Sequence, residues 1–462
     1  MKNLNPIREE VVIWPRSESI SRPGISSNDS NKLIGLGTYL VVGLGLLGFG
    51  FALKALPGGA RRNDFNAYYA CAVALHRGLD PYVINLTTYT RQLHLHPDPF
   101  SYPGDTPTFI LATEPLALFS PENAYRIWTT ASLLCLAASV FMLFGPSSGL
   151  NRSSAIILSL AALGFTPMAL NLVWSQSQTF LMFGIVLFYR LATRGRDRGA
   201  GALLAMLGLL RGFPLALGGF LLVHSKWQAI GSAAIAFVIG LWVTVIFLGV
   251  GPVLNFLRMV GLVGGHQWLS LPPLWKVTPI NLSLNAFVDR PLMLLFGLNL
   301  PPAARTIGGG IVILADVAIL AATFRATAQT SQERSLALWT VTMLMITPVV
   351  WLYYVMLLIV PFGLIGRSVT NHQTSMRVRR LAMLSYSFFV LGTPSLVYAI
   401  LPFRLTWRSA LFGEFGFLSV FCVWLAALLF ATEPLSKSSQ TEPLPNFVDQ
   451  HLHAISFDVG SG

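Results

Sequence analysis

Long apolar runs recur along the chain, separated by short polar or basic breaks. A helix needs about 20 apolar residues to cross a bilayer. On that scale the pattern predicts ten spans, at about 33–56, 123–145, 153–173, 178–193, 227–250, 306–325, 335–350, 352–367, 381–402 and 409–431. A further run, 199–223, is interrupted by Arg211-Gly212-Phe213-Pro214 and flanked by basic residues at both ends. It reads as a re-entrant hairpin, because Pro removes a backbone donor and helices broken at membrane depth survive only where buried or facing a cavity. The short run 291–300 is an alternative span, and counting it would reverse the later topology.

Residues 57–121 do not follow this pattern. Outside the two tails the chain has eleven acids, and six of them, Asp64, Asp80, Asp98, Asp105, Glu114 and Glu122, lie in this segment or at its edge. A loop of that length without structure of its own is unusual unless it is functional. Its beginning, from Arg61 through Asp64 to Tyr69, predicts a helix that ends near Gly78 and is stopped by Asp80-Pro81-Tyr82.

Composition narrows the class. Of the 462 residues 54% are hydrophobic and 11% are charged, against about 25% charged in an ordinary soluble domain. The chain is therefore an all-α polytopic membrane protein of ten to twelve membrane segments. The expected organisation is a cytoplasmic tail at 1–31, a transmembrane domain at 32–431 with loop 57–121 outside, and a disordered cytoplasmic tail at 432–462. Residues 1–31 lack the apolar core of a signal peptide. Basic clusters at Arg194/Arg196/Arg198, Arg325/Arg334 and Arg377/Arg379/Arg380 mark cytoplasmic turns. The net charge of +12 then reflects those turns and anionic lipid headgroups, with no nucleic-acid partner implied. Cys71, Cys135 and Cys422 lie far apart and indicate neither a disulfide framework nor a metal site.

Several residues carry candidate chemistry. Asp64 and Tyr68 are four apart and share a helix face. Beside Arg61 and Arg62, at a helix N-terminus, Asp64 is expected to be ionised, as a general base must be. The competing reading is that it simply caps the helix, since Asp is a favoured cap. Phe100-Ser-Tyr102-Pro103-Gly104 and Glu114-Pro115-Leu116 suit either walls for a sugar or lipid chain, or an interfacial aromatic belt. His94 and His96 lack a third metal ligand. The turn holding Asn171, Gln176 and Gln178 offers amides that fit sugar hydroxyls, or ordinary helix capping. Arg211, deep in an apolar stretch, costs about 2.5–3.5 kcal/mol to insert and needs an anion. Phosphate is one candidate, and a structural pair with Asp316 is the other. Lys276 and Arg290 are further candidates, with a surface role as the alternative.

Taken in order, these pieces resemble glycosyltransferase family 87, the polyprenol-phosphate-mannose-dependent mannosyltransferases of bacterial membranes. The resemblance covers about 60–365. It is carried by Asp64-Phe-x-x-Tyr68, Leu75-x-x-Gly78-x-Asp80-Pro81-Tyr82, Phe100-x-Tyr102-Pro103, Pro115-Leu116, and Ala124 with Trp128. Further on, Ser175-Gln176 stands where the family has Gly-Gln, and Arg211 where it has a Lys before Pro. Asn281-Leu282-Ser283 is similar to an Asn-Gln-Ser element, and Pro348-x-x-Trp351-x-Tyr353-Tyr354 to Pro-x-x-Trp-x-His-Tyr. Tyr353 thus replaces a His, Gly104 a second Pro, and Leu282 a Gln.

The resemblance implies a GT-C-like fold and an inverting transfer of a hexose, mannose in the family. The donor would be a polyprenyl-phosphate sugar and the acceptor a glycolipid or glycan, at the external face of a bacterial inner membrane, with no cofactor or metal. It makes Asp64 the preferred base, with Asp80 second. Tyr68, Asp80, Tyr102, Gln176, Arg211, Asn281, Arg290, Trp351 and Tyr353 are the implied substrate contacts, with Arg211 stabilising the leaving phosphate. Two other classes fit the same composition: a lipid or sugar transporter, which would need no long acidic first loop, and a non-catalytic partner that kept the fold.

Overall fold

The computed structural model of the protein describes residues 27–56, 64–95, 104–260, 278–297, 299–371, 374–400 and 406–434. Most of both predicted tails, together with Arg61, Arg62, His96, Phe100, Tyr102, Pro103 and Lys276, lies outside the described residues. The chain divides into two compact units, Met1–Leu40 and Val41–Gly462. Every residue of the site lies in the second.

The described elements are helices: α1 (Ser27–Ala55), α2 (Phe65–His76), α3 (Leu86–Gln92), α4 (Pro107–Thr113), α5 (Pro121–Phe144), α6 (Arg152–Leu163), α7 (Thr166–Val173), α8 (Gln178–Thr193), α9 (Asp197–Arg211), α10 (Gly218–Val223), α11 (Trp227–Leu248), α12 (Val250–Met259), α13 (Leu284–Phe296), α14 (Pro302–Thr327), α15 (Gln332–Met345), α16 (Ile359–Thr370), α17 (Met376–Ile400) and α18 (Trp407–Thr432). Tight 3-10 turns join several of them. Among the described residues, β pairing is confined to an isolated antiparallel bridge between Asn281 and Trp351.

The expected number of spans requires correction. Among the described residues four helices, α5, α11, α14 and α18, are long and apolar enough to cross a membrane, or five if the bent pair α6–α7 counts as one. Three of the other apolar stretches, 153–173, 335–350 and 352–367, are interrupted by their own backbone chemistry. The stretch 153–173 bends by 51° between α6 and α7, where Phe165 is extended and Pro167 occupies the first turn of α7. The stretch 335–350 stops being helical after Met345, just before Pro348. The stretch 352–367 opens as a 3-10 turn, Tyr354–Leu358, before α16. Helix α8 has 16 residues, a length of about 24 Å, short of the roughly 30 Å hydrocarbon core. Only 6% of the apolar window of α11 is buried, an exposure suited to lipid contact.

The break predicted in 199–223 is present. Helix α9 ends at Arg211, and Gly212 follows with φ +60°, a left-handed conformation natural to Gly. A 3-10 turn, Phe213–Leu217, leads into α10. Helix α9 packs against α11 through Gly201, where any Cβ would run into the Ala229 carbonyl. The acidic first loop is a folded cap of α2, α3 and α4. Phe65, Tyr68, Tyr69, Phe109, Tyr125 and Trp128 form its aromatic core. Helix α2 begins where the sequence predicts, and Gly78 follows its end at φ +71°. Beneath lies a larger core around α15, buried at every position from Arg334 to Met345.

Candidate functional site

Asp64 stands at the N-cap of α2 with helical backbone angles, φ −64° and ψ −15°, and its side chain makes no capping hydrogen bond. The capping role therefore belongs to its backbone: the Asp64 carbonyl accepts from the amides of Ala67 at 3.0 Å and Tyr68 at 3.3 Å. Its carboxylate oxygen Oδ2 accepts instead from the side-chain amide Nε2 of Gln176. One helical turn further, the Tyr68 hydroxyl donates to Oε1 of the same Gln176 at 2.6 Å. One amide thus clamps both members of the i, i+4 pair.

Gln176 comes from the turn between α7 and α8, and the geometry of that turn explains its delivery. Ser175 has φ +55°, a conformation that costs about 1–2 kcal/mol for an L-residue other than Gly. The resemblance places a Gly at this position, and the backbone accounts for why a Gly suits it. The turn is held from two sides. The Gln176 amide donates to the Asn171 carbonyl at 2.9 Å, and Trp128 Nε1 donates to the Ser175 carbonyl at 2.8 Å.

Arg211 continues the network. Its Nη2 donates to the Tyr68 hydroxyl at 3.1 Å and to Ser177 Oγ at 2.8 Å, and its Nε donates to the same Oγ at 3.1 Å. Its Nη1 forms an ion pair with Asp105. The guanidinium lies 4.8 Å from the centre of the Phe109 ring. Both ion-pair side chains are nearly buried, 9% and 11% exposed. The partner expected from sequence was phosphate or Asp316, but the pair within the chain is with Asp105. Asp105 precedes α4, and its neighbour Thr106 caps that helix. The Thr106 hydroxyl also lies 2.7 Å from the Leu209 carbonyl and 2.9 Å from that of Leu210. It thereby serves carbonyls left open where α9 ends. Asp105 and its neighbour thus dock the first loop onto the helix break.

The electrostatics follow from this burial. Desolvation raises the Asp105 carboxyl above its ordinary value, and Arg211 opposes the rise. Burial, then Asp105, pushes the Tyr68 phenol well above its ordinary value, so Tyr68 keeps its proton at neutral pH. The network runs unbroken from the Asp64 carboxylate through Gln176 and Tyr68 to Arg211 and Asp105.

Tyr353 and Tyr354 flank it. Tyr353 packs edge-on against Trp174 at 5.6 Å, Tyr354 stacks on Phe213 at 5.3 Å, and the two rings meet at 5.2 Å. Asp64 and Arg211 lie within electrostatic reach of both.

The remaining predicted residues make contacts of their own. Arg290 is fully buried, paired with Glu414 at 3.2 Å, and its Nη2 donates to the carbonyls of Thr278, at 3.3 Å, and Asn281. The Asn281 side-chain carbonyl accepts from the amides of Val350 and Ser283, each at 3.2 Å. With the Asn281–Trp351 bridge, this locks the strand-like segment preceding Tyr353. The two oxygens of Asp80 accept from the Tyr82 amide at 2.9 Å and from Asn255 Nδ2 at 2.8 Å, which fixes the α2–α3 turn against α12. Tyr102 lies outside the described residues. Among the described residues no three His, Cys, Asp or Glu side chains come together as a metal site. Sequence reasoning missed Asp105 and Ser177. The buried charge of Arg211 signalled that an acid must exist, but nothing local to position 105 said which.

The family model of glycosyltransferase family 87 matches residues 100–361. That interval takes in Asp105, Gln176, Arg211, Asn281, Arg290, Trp351 and Tyr353, and begins after Asp64, Tyr68 and Asp80. The chain matches no curated protein and no solved structure.

Proposed function

The chain belongs to glycosyltransferase family 87 and is a membrane glycosyltransferase; from that premise we propose that it moves a hexose, mannose by the family resemblance, from a polyprenyl-phosphate donor to a glycolipid or glycan acceptor. The observation carrying this reading is the unbroken network with a carboxylate at one end and a nearly buried guanidinium at the other.

In this reading Asp64 takes the proton from an acceptor hydroxyl. The acceptor oxygen attacks the anomeric carbon from the face opposite the phosphate, the bond to the phosphate oxygen breaks, and the configuration inverts. The phosphodiester is a monoanion, and the electron pair of the broken bond gives the departing polyprenyl phosphate a second negative charge; Arg211 stabilises that developing charge. Gln176 aims Asp64, a role supported by its simultaneous bond to Tyr68. Tyr353 and Tyr354 wall the site. Asn281, Arg290, Trp351 and Asp80 brace the segments that carry it. The lipid chain of the donor keeps its phosphate near the membrane surface; the basic clusters support an external first loop, and the family resemblance supports a bacterial inner membrane.

The test is direct. Purified protein in lipid is given polyprenyl phosphosugars and a mixed glycolipid acceptor fraction. Transfer with inverted anomeric configuration is expected. Retained configuration, or movement of lipid across the bilayer without transfer, would overturn the reading.

A further inference from the structure

Asp105 is the member of the network to which neither the sequence pattern nor the proposed chemistry assigns a role. It spends its carboxylate on Arg211, the group that the proposed reaction directs at phosphate. All three guanidinium nitrogens are engaged: Nη1 by Asp105, Nε by Ser177, and Nη2 by Ser177 and Tyr68. An arriving phosphate must therefore displace a partner. The two hydroxyls are neutral and can turn to donate to the newcomer. Asp105, when ionised, can only accept. Two anions on one buried guanidinium would leave an uncompensated negative charge in a desolvated site, which is costly.

We propose that Asp105 is the resident counter-ion of Arg211, which the donor phosphodiester displaces, and that the released carboxylate takes up a proton from water. The inference rests on the reading that Arg211 meets the donor phosphate. Its chemistry balances simply: one ion pair is exchanged for another, and one proton moves from solvent to a carboxylate oxygen. The groups around Asp105 support the second half. Tyr68 and Cys71 face it from α2, Tyr82 from the turn after α2, Tyr354 from the 3-10 turn before α16, and Arg211 from α9. Of these only Arg211 is positive, so among the described residues it is Arg211 that holds the carboxylate charged. Burial already pushes this carboxyl upward, with Arg211 holding it down.

The sign follows from linkage. The loaded state binds more protons at Asp105 than the free state, so affinity for the phosphodiester falls as pH rises, by up to about tenfold per pH unit. The window lies between the Asp105 value with Arg211 attached and the higher value without it. When no donor is present, the ion pair keeps the Arg211 pocket electrically neutral.

The experiment uses the full chain in nanodiscs of zwitterionic lipid and methyl polyprenyl phosphate, a phosphodiester without a titration of its own near neutrality. Calorimetry from about pH 6 to about pH 8, in buffers of different ionisation enthalpy, reads both affinity and proton uptake. The wild type is expected to take up protons on binding, with affinity declining toward higher pH. Asp105→Asn is expected to bind more tightly at the upper end, with a flat profile and no uptake. Wild-type binding without proton uptake would overturn the proposal whether or not the variant folds. So would an Asp105→Asn profile with the wild-type slope. Arg211→Gln separates the two readings. If it binds the probe as well as the wild type, Arg211 does not meet phosphate, and the proposed function loses that role. If it binds weakly while the wild type takes up no proton, only the exchange is wrong.

Discussion

Arg211 and Arg290 are two buried guanidiniums, each with an acidic partner, and they are held in different ways. Arg290 lies among backbone carbonyls, paired with Glu414, and a Cβ at the facing Gly413 would press into its guanidinium. Arg211 is held by side chains, two of them hydroxyls, drawn from three regions far apart in sequence. Backbone carbonyls cannot move without moving the fold, whereas a Ser or Tyr hydroxyl can turn in place. One arrangement locks a segment; the other can change partners.

The largest effect is expected at the far end of the Arg211 network. Asp64→Asn keeps the shape and the hydrogen bond geometry but removes the basicity, so sugar transfer should fall by about 10²–10⁴-fold, the usual contribution of a general base. Expression and thermal midpoint should hold, because the Asp64 side chain caps nothing. A wild-type rate of transfer in this variant would remove Asp64 from the chemistry.

Arg290→Met should act on stability instead. It leaves Glu414 without its ion-pair partner, and breaking a buried pair costs about 3–5 kcal/mol. A large drop in thermal midpoint is expected, with donor KM near normal in whatever protein remains folded. An unchanged midpoint with a raised donor KM would make Arg290 a substrate contact and erase the contrast with Arg211.

Gln176→Leu tests the bridge. It deletes both hydrogen bonds of the clamp, worth about 1–3 kcal/mol where buried partners are left unpaired. If Gln176 aims Asp64, kcat should fall by about 10–100-fold while donor KM changes little. A loss of activity no larger in free energy than the loss of stability in this variant would reduce the residue to packing.

The smallest effect concerns the backbone that delivers Gln176. Ser175→Gly should relieve the φ +55° strain and raise stability by about 1 kcal/mol, less the extra entropy that Gly loses on folding. A lower thermal midpoint would show that the entropy cost of Gly and the lost contacts of the Ser175 hydroxyl, among them the weak bond to the Leu172 carbonyl at 3.5 Å, outweigh the strain.

Local features were legible in the residues themselves. The start of α2 at Asp64, its end before Gly78, the break after Arg211 and the membrane class all follow from apolar runs, Pro, Gly and helical spacing. So does the shared face of Asp64 and Tyr68, since four residues make about one turn. The order of motifs was enough to point to the family. The span count was misread because hydropathy adds up apolar residues but does not see a 51° bend or a 3-10 start. What only the tertiary structure decided is who meets whom. Tyr68 reaches Arg211 across 143 residues, and Gln176 reaches Asp64 across 112. Periodicity cannot specify such pairs, because they depend on how helices pack after they form. The sequence required that a buried Arg211 have an anion; the docking of the first loop onto the broken end of α9 made that anion Asp105.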